Sequence, residues 1–157
     1  MKTPHLLRVE QAATEYAPLF DAARALGLRL GWMELGDSVP GAVPPSLEAA
    51  AGEGALRAVA VGGGRTVSIK PMKGAPVLRD LLREHFRGCA LVLVFGGGAA
   101  ELPSLSRDGE VYRVASGSVV RTFSAAHLAE AVRRPRPFEP ETAATASTVE
   151  AAPPEKR

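Results

Sequence analysis

Apolar positions in this chain follow two periods, and the switches between them divide it into elements. In the first third, apolar residues recur at Val9, Ala12, Ala13, Tyr16, Leu19, Phe20, Ala23 and Leu26, a helical spacing that Gly27 ends. Pro18 falls inside that run. Proline costs about 3 kcal/mol in a helix interior, so the spacing predicts one helix kinked at Pro18, the alternative being two pieces with the second starting near it. Residues 28–35 place apolar side chains on both sides, which predicts a strand covered on both faces, with Gly31 its weakest position. The glycines and prolines of 36–45 predict a loop. Ser46 is the expected cap of a short helix through Ala51, with Glu48 in its first turn.

The centre of the chain is residues 57–97. An apolar strand at 57–61, the turn Gly62-Gly63-Gly64 and a second strand at 66–70 read as a hairpin whose turn needs positive φ. A basic loop at 71–74 leads into an amphipathic helix from Pro76 to Arg87, closed by Gly88. Its stripe of Val77, Leu78, Leu81, Leu82 and Phe86 is worth about 1.5 to 3 kcal/mol per side chain if buried. The wholly apolar strand 89–95 follows, and a strand of that kind belongs in the interior of a sheet, with the preceding helix packed over it. Beyond it, residues 102–123 read as a small antiparallel meander with turns at Arg107-Asp108-Gly109 and Ser116-Gly117-Ser118. Ser124 caps a last helix, 125–134, which Pro135 ends.

These elements predict an α/β or α+β domain over 1–135, with one mixed sheet of about five or six strands flanked by helices. Residues 136–157, rich in Pro, Ala, Glu and Thr without period, are expected to be a disordered tail. From Ser46 onward the order helix, hairpin, helix, meander, helix resembles profilin-like or Roadblock-like regulatory modules. That likeness is one of element order alone and implies no activity.

Composition narrows the chemistry. Apolar residues make up 46% of the 157 and aromatics only 5%, so the core is expected to be Leu, Val and Ala. Net charge is +2, but residues 56–97 hold seven Lys or Arg against two Asp or Glu, a local excess suited to an acidic partner or an anion. The N-terminus carries no apolar run of signal-peptide length, and the longest apolar stretch, 89–100, is too short for a membrane span. A cytoplasmic, soluble protein is the expectation. The single cysteine, Cys89, can form no internal disulfide and reads as a buried small hydrophobe.

Candidate sites are few. Gly62-Gly63-Gly64-Arg65-Thr66-Val67 has Val where a dinucleotide fingerprint needs its third glycine, and Gly96-Gly97-Gly98-Ala99-Ala100-Glu101 has Glu there. Lys70-Pro71-Met72-Lys73-Gly74-Ala75-Pro76 is the better anion candidate, because two lysines and a glycine precede a helix N-terminus. Arg65, Lys70, Lys73, Gly74, Ala75 and Val77 are therefore the candidate ligand-binding set, for a phosphate- or carboxylate-bearing molecule, against the plainer reading of exposed lysines in a strand-to-helix loop. Arg79, Arg83 and Arg87 recur every four residues as a basic ridge that could dock a partner, with Asp80 and Glu84 pairing to Arg83 and Arg87.

Gly36-Asp37-Ser38-Val39 resembles the serine block of GDS-type esterases, with Val in place of Leu. The chain has no Asn for that family's second block, and Ser124 rather than Asp stands three residues before His127, so Ser38 reads as a loop residue. His5, His85 and His127 show no metal-ligand spacing, and His85 reads as a partly buried structural residue. Scarce aromatics and interleaved acids argue against sequence-specific nucleic-acid binding. No catalytic set, metal or cofactor is expected. The sequence favours a non-catalytic interaction or regulatory module with a protein partner or a second copy of itself, the anion-binding domain being the alternative.

Overall fold

The apolar run before Gly96 forms an interior strand. In a computed structural model, which describes residues 3–36, 39, 41–96 and 101–138, this strand is β5 (Leu91–Phe95). It lies between β1 (His5–Val9) and β2 (Leu30–Glu34), parallel to both. Beyond β1 the sheet continues through β6 (Ser104–Asp108), β7 (Val111–Ser116) and β8 (Val119–Phe123), giving a six-stranded mixed sheet in the order β2-β5-β1-β6-β7-β8. β1 and β6 are parallel, and β6, β7 and β8 form the antiparallel meander. The helices are α1 (Ala17–Ala25), preceded by a 3-10 turn (Ala13–Tyr16), α2 (Pro45–Gly52), α3 (Leu78–His85) and α4 (Ala125–Ala131). β3 (Ala58–Gly62) and β4 (Arg65–Ile69) form a separate two-stranded sheet. The chain divides into two compact units, Gly36–His85 and the remainder on either side of it.

In the larger unit, Tyr16, Leu19 and Ala23 from the turn and α1 join Leu128, Ala129 and Val132 from the α4 region on one face of the sheet. There they meet Leu7, Val9, Leu91, Leu93, Leu105, Tyr112 and Val114. Val92 and Val94, which alternate to the opposite face, are also 0% exposed. On that face the register sets Gly31 beside Val92, and a Cβ on Gly31 would lie 2.5 Å from the Phe86 ring. The glycine that weakens the strand in sequence is what lets Phe86 lie against β2.

Several boundaries differ from those predicted. Residues 5–9 are a strand that the helical spacing concealed, because Val9 ends β1 instead of starting a helix. Of the two arrangements considered around Pro18, two pieces form, with Pro18 in the first turn of α1 where no amide hydrogen is needed. α2 starts at Pro45 behind Pro44, so Ser46 is inside the helix and caps nothing. α3 is shorter than predicted, excluding Val77, which is 50% exposed, and Phe86. Among the described residues, the hairpin is not part of the large sheet and shares no strand with the meander.

Ser124 does cap α4, its hydroxyl accepting the His127 amide at 3.1 Å, but the helix ends at Ala131, before the arginines. Order continues past Pro135: Phe138 joins the core and the Arg121 guanidinium donates to the Pro137 carbonyl at 2.7 Å. The rest of the predicted tail, 139–157, lies outside the described residues, as do Asp37, Ser38 and 97–100. Among the described residues, no helix is long and apolar enough to cross a membrane.

Candidate functional site

The Gly36–His85 unit is organised by its hairpin. Gly63 and Gly64 take φ of 58° and 75°, the left-handed pair of a type I′ turn whose twist matches that of the strands it joins. Register follows from that turn: Ala58 pairs with Ile69, Ala60 with Val67 and Gly62 with Arg65. Downstream, the Val77 carbonyl accepts the amides of Asp80 and Leu81 at 3.0 and 3.1 Å, which fixes the start of α3.

Within this unit opens a cleft of about 990 Å³ beside residues 70–77. Its apolar walls include Val43, Leu56, Val67, Ile69 and Met72, and its charged groups are Glu48, Lys70, Lys73, Asp80 and Glu84, with His85. Of the expected anion set, Lys70, Lys73, Ala75 and Val77 line the cleft. Gly74 sits between them in the loop with φ of 73°. Arg65 is at the turn end of β4, about 17 Å along an extended strand from Lys70, so the two do not converge.

Electrostatics change the reading of the loop. The Lys70 ammonium lies 2.9 Å from both oxygens of Glu84, and the Arg57 guanidinium lies 2.6 Å from one of them. The Lys70 hydrogen bond lowers the Glu84 carboxyl pKa from its ordinary value; desolvation, the next-largest effect, opposes it, and the Arg57 hydrogen bond adds to the lowering. Glu84 was the expected partner of Arg87. It is instead taken by cations brought from β4's end and from the segment before β3, leaving Lys70 committed. Asp80 does pair with Arg83, at 3.1 Å. Arg79 and Arg83 lie on α3, whereas Arg87 falls beyond its last residue, so the three arginines do not share one helix. His85 is exposed, 3.9 Å from Glu84, not partly buried as expected.

What the sequence did not reveal is how much apolar surface this unit leaves open. Of the ten large hydrophobic residues exposed among those described, seven belong to it: Val39, Leu56, Val59, Val61, Val67, Met72 and Val77. Leu56 is 85% and Val61 78% exposed. No protein-family model matches the chain, and no curated protein matches it.

A second cavity, about 390 Å³, lies in the larger unit against His5, Arg29, Cys89 and Arg133. Sequence reasoning passed over it, because those residues come from distant segments with no spacing that links them. Burial pushes the half-buried Cys89 thiol upward, partly offset by Arg29, which keeps it protonated and poorly nucleophilic near neutrality. The His5 ring nitrogen Nε2 lies 2.9 Å from the Arg134 carbonyl. Among the described residues, no group of three His, Cys, Asp or Glu is arranged to hold a metal ion.

Proposed function

We propose that this chain is a non-catalytic protein-interaction or regulatory module whose contact surface lies in the Gly36–His85 unit. The concentration of exposed apolar side chains there, seven of the ten among the described residues, supports this reading, since large exposed apolar patches mark interaction sites. The cleft supports it as well, since its walls are largely aliphatic and one of its two lysines, Lys70, is paired with Glu84. Capture from native lysate with the immobilised full chain tests the proposal, using Leu56→Asp as the contrast. Leu56 is 85% exposed, so the substitution leaves the fold intact. A partner held by the wild type and lost by the variant is the expected result; equal capture by both overturns the proposal.

A second reading is a phosphate- or carboxylate-bearing ligand in the same cleft. It is favoured by Lys73, Ala75 and Val77 lining the cleft, and Lys73 forms no ion pair with another described residue. Thermal-shift measurements with nucleotides, sugar phosphates and acyl-CoA examine it. A rise in melting temperature that disappears in Lys73→Ala supports the ligand, and a rise unchanged by that substitution rejects it.

A further inference from the structure

The hairpin has two outer edges, and they differ. The turn sets Gly62 and Arg65 as a hydrogen-bonded pair, as two-residue hairpins require. Hydrogen-bonded and non-hydrogen-bonded pairs then alternate, so the amides and carbonyls of Val59 and Val61 point away from β4, along the free edge of β3. On the free edge of β4, the corresponding groups belong to Thr66 and Ser68.

Natural sheets blunt such edges with charge, proline or bulges. β4 is blunted: Arg65 begins it, and Lys70 and Pro71 follow its end. Within β3 there is none of these devices, and the charge that flanks it, Arg57, is paired with Glu84. The strand's sequence is Ala-Val-Ala-Val-Gly, uncharged throughout, with Val59 50% and Val61 78% exposed. Val59 and Val61 alternate to the same face, so the strand offers an unpaired hydrogen-bonding edge and an apolar stripe together.

We infer that β3 is a self-pairing edge whose partner is β3 of a second copy, joining two hairpins into a four-stranded antiparallel sheet. This inference rests on the interaction-module reading and names the partner. Symmetry favours a second copy. A two-fold interface must be self-complementary, and β3 is close to a palindrome about Ala60. Antiparallel pairing centred there sets Val59 opposite Val61 of the other copy, twice, and Ala58 opposite Gly62. Both valine pairs then bring outward-pointing amides and carbonyls face to face, which a register shifted by one residue would not do. No charge in β3 meets its own image across the axis, so like-charge repulsion within the paired strands is absent. Four valines line up on one face, and a two-stranded ribbon that is marginal alone gains two strands.

Sedimentation and light scattering of the full chain over a range of concentrations provide the test. The expected result is a species of twice 16.4 kDa whose self-association weakens by about tenfold or more in Val59→Lys and in Val61→Lys. Thr66→Lys, on the other edge, should leave it unchanged. Ala60→Cys in a Cys89→Ser background gives an independent reading, because a central non-hydrogen-bonded pair brings Cα atoms to about 4.5 Å, within disulfide range. Mild oxidation should link two chains through Ala60→Cys and not through Thr66→Cys. Far-UV circular dichroism establishes that each variant is folded. A chain that stays at 16.4 kDa at every concentration overturns the inference, as does a dimer indifferent to Val59→Lys and Val61→Lys. A monomer that still captures a Leu56-dependent partner from lysate would overturn self-pairing and leave the interaction-module reading standing.

Discussion

β5 and β3 read almost alike as sequences and meet opposite fates. β5 is Leu-Val-Leu-Val-Phe, and its first four side chains are 0% exposed; β3 is Ala-Val-Ala-Val-Gly, and only Ala58 is buried. β5 has a parallel strand on each side, and its Leu91 and Leu93 belong to the core shared with α1 and α4. Among the described residues, β3 has one strand neighbour, β4, and α2 lies against the pair, leaving Val59 and Val61 exposed. Apolar character therefore states that a strand gains by being covered. Neighbouring strands and helices decide whether the chain itself supplies the cover, and where it does not, the uncovered strand becomes surface available to another molecule.

The two strands should answer very differently to mutation. Leu93→Ala should cost about 2 to 5 kcal/mol of unfolding free energy in denaturant titration, because it leaves a cavity in a core with little room to collapse. A loss under about 1 kcal/mol would show that this core is not the stabilising one. Alkaline pH strikes the same core through Tyr16, which is 0% exposed with its hydroxyl 3.1 Å from both the Leu105 carbonyl and Gln11 Oε1.

Burial pushes the Tyr16 phenol from 10.0 up to about 12. The folded state therefore keeps its proton where the unfolded chain has lost it, and full stability below pH 10 declines as pH rises through about 12. Two pH units correspond to at most ~2.7 kcal/mol. Tyr112 shifts in the same direction, also by burial, so Tyr16→Phe should flatten the decline without abolishing it. A decline unchanged by Tyr16→Phe would assign the effect elsewhere.

Gly31→Ala should cost about 1 to 3 kcal/mol, since its methyl would fall 2.5 Å from the Phe86 ring. Smaller losses are expected in the hairpin. Gly64→Ala should cost about 1 to 2 kcal/mol from the left-handed backbone alone, because nothing lies within 4 Å of the new methyl. Val61→Ala, at a side chain 78% exposed, should change stability by less than about 0.5 kcal/mol. Its effect belongs to self-association, measured by sedimentation. A Val61→Ala loss as large as that of Leu93→Ala would erase the contrast between the two strands.

The large sheet was legible to the extent that its strands carry local signals. β5, β7, β8, the capped start of α4 and the hairpin turn follow from alternation, glycine conformation and Ser124. β1 was not legible: His5, Leu7 and Val9 form one face of a strand only because β5 and β6 lie beside it, and Val9 also fits a helical period. The candidate site was legible in part. The loop at 70–77 does border a cleft, but its lysines looked free for an anion only while Glu84 was assigned to Arg87, whereas Glu84 binds both Arg57 and Lys70, 27 and 14 residues away. Helical spacing offered Arg87 as Glu84's partner, and α3 ends before that pair can form.

Side-chain type and short-range spacing determined what could be settled within a turn or two: which segments alternate, where glycine permits a left-handed turn, which serine can cap a helix. Tertiary structure alone determined which apolar strand is enclosed, which glycine makes room for an aromatic ring, and which cations neutralise which carboxylate. The physical reason is one of range. Backbone preferences act between residues a few positions apart, whereas burial and ion pairing depend on distances in space between segments whose separation along the chain carries no information about their contact.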